Sequence, residues 1–176
     1  MMEQAFLYHF MINFKIILNV LGYLLVALSI LLIVPIIIDL ISGNDSWKSF
    51  LISLIITLGF GVTFLLSTRN ELKNKILTQD AFLITTLSWI FISIFGALPF
   101  FFLDSSLSLT NSIFESMSGI TTTGSTIFNE VENLPQGILI WRSILQWVGG
   151  VGTVSYTHLR AHETVLDLVC RLLLEK

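Results

Sequence analysis

Apolar residues run almost unbroken through three stretches of this chain, 16–41, 49–68 and 81–103. Each covers the roughly 20 residues that an α-helix needs to cross a hydrocarbon core, so the pattern predicts three membrane-spanning helices. A fourth apolar run opens at Gly137-Ile138 and continues only to about Gly152. The first stretch is too long for the apolar core of a signal peptide, and no small-x-small cleavage pattern follows it. It is read as a retained helix. Pro35 inside it removes a backbone donor, which predicts a kink. Asp39, near the far end of the same helix, is expected to reach water or headgroups.

The segment 104–136 is too polar to span and too patterned for a plain loop. Thr110 to Ser118 reads as a short helix, with Ser112 and Glu115 at capping-box spacing. Ile113, Phe114 and Met117 give it one apolar face, and Gly119 stands where a terminating residue belongs. At 1.5 Å per residue such a helix is about 10–15 Å long, half a membrane. The run Thr121-Thr122-Thr123-Gly124-Ser125-Thr126 that follows is rich in β-branched residues and predicts extended backbone. Irregular backbone at membrane depth persists only where it is buried in protein or lines a wet cavity. Lining a cavity, it offers carbonyl oxygens in place of a cation's hydration shell. The carboxyl end of the short helix, carrying about −0.5 charge, points the same way. Glu115, Glu130 and Glu132 are expected to raise the cation concentration at the mouth. A competing reading is an ordinary extracellular loop with a glycine turn. The ordered composite of span, half-helix, Thr-Thr-Thr-Gly and span favours a pore loop.

Composition supports a bilayer as solvent: 54% of residues are hydrophobic and 12% charged, where soluble domains carry about a quarter charged. A net charge of −3 without a basic run offers no surface for nucleic acid. Charge also sets orientation. Arg69, Lys73 and Lys75 crowd the loop between the second and third spans, and basic short loops mark the cytoplasmic side. The N-terminus, with Lys15, is then cytoplasmic, while 42–48 and 104–136 lie outside. The latter segment holds Asp104, Glu115, Glu130 and Glu132 and no basic residue. Trp47, Phe100 to Phe102 and Trp141 then fall at the outer interface as an aromatic belt.

From Val154 the character of the chain changes. Val154 to Thr164 resemble one translated frame of a transposase-type sequencing adapter, and Leu168 to Lys176 resemble its constant far end after a short variable index. Arg160, His162 and Glu163 fall where the fourth helix should continue, and a charge at mid-membrane costs about 2.5–3.5 kcal/mol. Residues 153–176 are therefore expected to be a non-native tail. Two apparent motifs go with it: His158 and His162 at zinc-pair spacing, and Cys170, the only cysteine. What remains has one histidine, His9, and no carboxylate pair converging within a span, so neither an enzyme nor a cofactor is expected.

The pieces Glu71-Leu72-Lys73, Gly96-Ala97-Leu98-Pro99-Phe100, Phe114-Glu115-Ser116-Met117-Ser118-Gly119, Thr121-Thr122-Thr123-Gly124, Leu134-Pro135 and Trp141-Arg142-Ser143-x-x-Gln146-Trp147-x-Gly149-Gly150-x-Gly152 are collinear. Together they resemble the Trk/Ktr/HKT superfamily of potassium transporters, specifically the bacterial Trk membrane subunit, over essentially all of residues 1–152. The resemblance implies an all-α integral membrane fold of four tandem helix–pore loop–helix repeats around one conduction path. This chain would supply two N-terminal helices (1–80) and the first repeat (81–152), its last helix truncated. Thr122 and Thr123 would give the main carbonyl contacts to potassium, with Thr121 and Gly124 flanking. Potassium-permeable relatives carry glycine at the position of Gly124, whereas sodium-selective plant relatives carry serine. The implied function is potassium uptake across the bacterial cytoplasmic (inner) membrane. The implied partners are a second copy, in a homodimer, and a cytoplasmic nucleotide-binding regulatory subunit. Three further filter quarters are missing, so this chain alone is not expected to conduct. A non-transporting membrane interaction protein with a Thr-rich extracellular loop remains the alternative. Arg142 is a candidate to pair with Glu115 or Glu132, the alternative being an arginine that snorkels at the interface, and the glycines at 149, 150 and 152 are expected to permit close helix packing or a bend.

Overall fold

The computed structural model describes residues 13–68, 78–103 and 107–153. The basic loop residues Arg69, Lys73 and Lys75, Asp104, His9 and the tail from Val154 lie outside the described residues. The regular elements are all helical: α1 (Phe14–Leu31), α2 (Ile33–Ser42), α3 (Trp47–Ser67), α4 (Thr78–Leu103) and α5 (Leu109–Ile120). A 3-10 turn at Val131–Asn133 leads into α6, residues 136–153. Three spans, Phe14–Ser42, Trp47–Ser67 and Asp80–Leu103, are long and apolar enough to cross a membrane.

The first span is one helical path broken at Leu32, between α1 and α2. Pro35 causes the break. It has no N–H for the carbonyl of Leu31 four residues earlier, and its ring crowds that oxygen. The path ends at Gly43, whose φ of +70° fits the residue just past a helix, while the Asn44 N–H bonds the Asp39 carbonyl at 3.0 Å.

α1 packs on α3 through glycine. A Cβ on Gly22 would lie 3.1 Å from the Gly61 carbonyl oxygen, and one on Gly61 would lie 2.9 Å from Val26 Cγ2. Lipid tails are as apolar as leucine, so helices in a bilayer gain by bringing backbones close rather than by hiding apolar surface. The buried stripe of α3 is accordingly Ser49, Ser53, Thr57 and Gly61, while Leu51, Ile52, Ile55 and Leu58 face outward. The stripe's hydroxyls are satisfied: Ser53 and Thr57 donate to the carbonyls four residues back, and Ser49 donates to Phe102 O at 2.9 Å, joining α3 to α4. At the opposite end, Asn19 Nδ2 donates to Thr68 Oγ1 at 2.8 Å, and the Asn13 N–H donates to Asp80 Oδ1 at 3.1 Å.

Two expectations are overturned. Trp141 belongs to no interfacial belt: it is fully buried, donates from Nε1 to Gly96 O at 3.0 Å, and meets Phe50 edge-on. Phe100 is buried too, which leaves Phe101 and Phe102 on the surface. The reason is helical period: Ile138, Trp141 and Leu145 form one stripe of α6, and that stripe faces the core. Asp39 does not reach water either. It is fully buried and accepts the Gly137 N–H at 2.8 Å.

Candidate functional site

α5 opens at Ser108, whose hydroxyl accepts the Asn111 N–H at 3.2 Å. The helix therefore starts before the Ser112–Glu115 capping box can act, and Ser112 Oγ instead bonds back to Ser108 O. The faces of α5 are reversed relative to a soluble helix. Ser112, Glu115, Ser116, Ser118 and Gly119 are buried, while Phe114 and Met117 are exposed. Gly119 does not terminate the helix. It lies within it, where a Cβ would come 3.1 Å from Leu145 Cβ, and the helix runs on to Ile120.

Left-handed backbone falls at Thr122 (φ 58°) and Gly124 (φ 77°). The expected extended run is thus replaced by alternation, with Thr121 at φ −74°. Four successive N–H groups turn back on the end of α5. Those of Thr121, Thr122, Thr123 and Gly124 donate to the carbonyls of Met117, Gly119, Ser118 and Ser118, at 2.9, 3.0, 3.1 and 3.3 Å. Such one-sided N–H groups are what alternating right- and left-handed residues produce. Every described peptide is trans, and in a planar trans unit the carbonyl points opposite to the N–H it is bonded to. The carbonyls of Thr121, Thr122 and Thr123 therefore leave together, away from α5. A regular strand would send them to alternate sides.

Residues 121–126 are all exposed. Thr122 Oγ1 donates to Thr121 O at 2.7 Å, and the hydroxyls of Thr121 and Thr123 share a 2.8 Å bond. Among the described residues, the carbonyls of Thr122 and Thr123 accept no hydrogen bond.

Behind the loop sits one buried carboxylate. Glu115 Oε1 receives Arg142 Nε at 2.6 Å, with side chains 1% and 15% exposed respectively. Its Oε2 accepts both Thr126 Oγ1, at 3.1 Å, and the Ile127 N–H, at 3.0 Å. Ser118 Oγ adds a 2.6 Å bond to Ser125 O. Glu115 thus joins α5, α6 and the return arm of the loop. Of the two expected partners for Arg142 the structure selects Glu115, and Glu115 is not a free charge at a mouth. Glu130 and Glu132 are exposed. Close packing completes the support, since a Cβ on Gly149 would fall on the Ile120 carbonyl oxygen, while Gly150 and Gly152 face open space.

The family described as TrkH, a cation transport protein, matches residues 46–165. This chain belongs to the TrkH family. The Trk system potassium uptake protein TrkH of Halomonas elongata is 40% identical over 143 residues, 81% of this chain and 30% of the relative. TrkH of Escherichia coli K12 is 35% identical over 143 residues, again 81% of this chain and 29% of the relative. The crystal structure of the potassium transporter TrkH from Vibrio parahaemolyticus matches with a TM-score of 0.75 at 32% identity, covering 80% of this chain and 30% of that one. The chain thus spans about 30% of the length of the TrkH relatives it matches.

In this segment of the family, Thr121, Thr122, Thr123 and Gly124 stand together on one exposed turn, and Arg142 and Glu115 meet behind it. Sequence reasoning missed the left-handed Thr122, the Ser118–Ser125 bond and the buried Asp39–Gly137 contact. Only Asp39 left a signal: a carboxylate in an apolar run, which demands a buried partner.

Proposed function

We propose that this chain forms the first quarter of a potassium path in a longer Trk-type uptake protein, with Thr121, Thr122, Thr123 and Gly124 as its share of the selectivity filter. The observation that carries the reading is the one-sided set of carbonyls at Thr121 to Thr123, presented at the carboxyl end of a half-length helix. α5 has 12 residues, about 18 Å, against a hydrocarbon core of about 30 Å. Its end would deliver the negative pole of the helix dipole near mid-membrane. There, peptide oxygens would replace the water around a monovalent cation. One quarter supplies too few oxygens to do this alone, so conduction belongs to the assembled protein.

The remaining expectations follow from the same reading. Residues 1–80 are an N-terminal two-helix region, 81–152 the first repeat and 153–176 a non-native tail, although the family match runs on to residue 165. The membrane is the bacterial cytoplasmic membrane, with the N-terminus inside. The protein works as a transporter without enzymatic activity or cofactor, as a homodimer with a nucleotide-binding regulatory subunit in the cytoplasm.

The test uses the full-length gene carrying this segment, expressed in a host deficient in potassium uptake. The gene, read from DNA that never carried an adapter, should encode three more pore loops, each with its own glycine. It should restore growth at low potassium. Gly124→Ser should weaken discrimination against sodium while leaving protein abundance unchanged. Equal growth and equal sodium exclusion in the two forms would remove Gly124 from the filter. A gene with no further pore loops would instead favour a non-transporting membrane protein.

A further inference from the structure

We propose that Asp39, in the N-terminal two-helix region, is a positioning residue for the ion path, acting through the first turn of α6. The inference rests on the function proposed above. Asp39 and Gly137 are 98 residues apart in sequence, yet Oδ1 accepts the Gly137 N–H at 2.8 Å in a buried contact. Gly137 is the second residue of α6. The first N–H groups of a helix have no partner within it, and an acidic side chain there is favoured by the helix dipole. The fit is close, because a Cβ on Gly137 would fall on the Asp39 carboxylate. A second bond, Ser42 Oγ to Gln136 Oε1 at 2.7 Å, pins the same two elements.

What these contacts fix is the axial position and rotation of α6. Arg142 lies five residues beyond Gly137, about 7.5 Å along the helix, and Arg142 is the residue that reaches Glu115. Glu115 in turn holds Thr126 and the Ile127 N–H, just past the filter. A slip of α6 by a fraction of a turn would separate Arg142 from Glu115 and release the return arm. α2 thus holds the filter in place from outside the repeat, acting through α6.

The test compares Asp39→Ala, Asp39→Asn, Gly137→Ala and the double variant Asp39→Ala/Gly137→Ala in the full-length gene. Rubidium uptake kinetics, sodium competition and membrane abundance are measured for each. Asp39→Ala should raise the half-saturation concentration about fivefold or more, with a smaller change in maximal rate per copy. Asp39→Asn keeps an acceptor oxygen for the Gly137 N–H and should stay within about twofold of the unmodified protein. Gly137→Ala should be defective alone and less defective once the carboxylate is removed, because the methyl group then has space. Asp39→Ala with unchanged half-saturation and sodium discrimination at normal abundance would overturn the proposal. So would Gly137→Ala being equally defective with and without Asp39. Should the unmodified gene take up no potassium, the functional reading fails first, and amide exchange in detergent decides the positioning contact by itself. Exchange over 136–140 should then be about tenfold faster in Asp39→Ala, and unchanged exchange would refute the contact.

Discussion

Replacing Glu115 and Arg142 together by leucine separates what the buried pair does for folding from what it does for the proposed filter. Each single replacement leaves one charge buried without its counter-charge, at a cost of about 3–5 kcal/mol. Leucine at both positions removes the uncompensated charge, and apolar replacements of buried pairs are often neutral or even stabilising. The double variant should therefore be more stable than the sum of the single losses predicts, by a coupling of about 3 kcal/mol, or roughly a hundredfold in the folding equilibrium. The filter should not recover with it. Glu115 Oε2 accepts two bonds from the return arm, at Thr126 Oγ1 and the Ile127 N–H, and leucine accepts none. Thr126 is exposed and its hydroxyl can turn to water, but a partly buried Ile127 N–H left unpaired costs up to about 1–3 kcal/mol, so the arm should shift toward solvent and its carbonyls lose register. Exchanging the two charges should fail in the same way, since arginine at 115 cannot accept the Ile127 N–H. The assay is thermal unfolding of full-length protein in detergent, paired with sodium competition against rubidium uptake. Additive stability losses, with coupling under about 0.5 kcal/mol, would show that the pair does not interact as described. Recovery of ion discrimination in the double leucine variant would show that Glu115 does not hold the loop.

Two further outcomes test the loop and its support. Thr122 holds a left-handed φ of 58°, which costs a β-branched residue about 1–2 kcal/mol. Thr122→Gly should therefore be more stable than Thr122→Val by about that amount in thermal unfolding, and parity between them would place the strain elsewhere. Gly149→Ala puts a methyl on the Ile120 carbonyl oxygen, whereas Gly150→Ala meets open space. Uptake and abundance should fall for the first and stay unchanged for the second; equal behaviour would refute close packing of α6 on the end of α5.

The spans were legible because hydropathy depends only on local composition, and the kink because Pro35 acts on its own helix. The half-helix was legible in existence but not in its faces. In a soluble protein Ile113, Phe114 and Met117 would turn inward, but in this chain the interior takes Ser112, Glu115, Ser116 and Gly119. Close backbone approach and a buried ion pair decide that choice, and both are long-range. Trp141 was misplaced for a related reason. Its position along the chain matches an interface, while its angular position on α6 puts it against Gly96. Asp39 was legible as a charge in an apolar run, but its partner Gly137 N–H is a backbone group that leaves no mark in sequence. The Thr-Thr-Thr-Gly tetrad was expected to be extended, and its backbone is a turn with left-handed Thr122 and Gly124. β-Branched side chains favour extended strands locally, and four hydrogen bonds to the end of α5 override that preference.

On the proposed filter role, that override bears on ion affinity. A turn with a β-branched residue at positive φ is unfavourable alone and persists only when its surroundings fix it. Here the contacts to the rest of the chain lie on the back of the loop: the carbonyls of Met117, Ser118 and Gly119, the Ser118 hydroxyl and the Glu115 carboxylate. On the front, the carbonyl oxygens of Thr122 and Thr123 accept no hydrogen bond among the described residues. Residues that never approach the ion should therefore alter ion discrimination as strongly as those that do, with the effect passing through the angle of two or three peptide planes. Substitutions at Ser118 and Glu115 fall in that class. Exposed positions such as Glu130 and Glu132, which support no part of the turn, should change only the salt dependence of uptake, because a screened surface charge acts through local concentration.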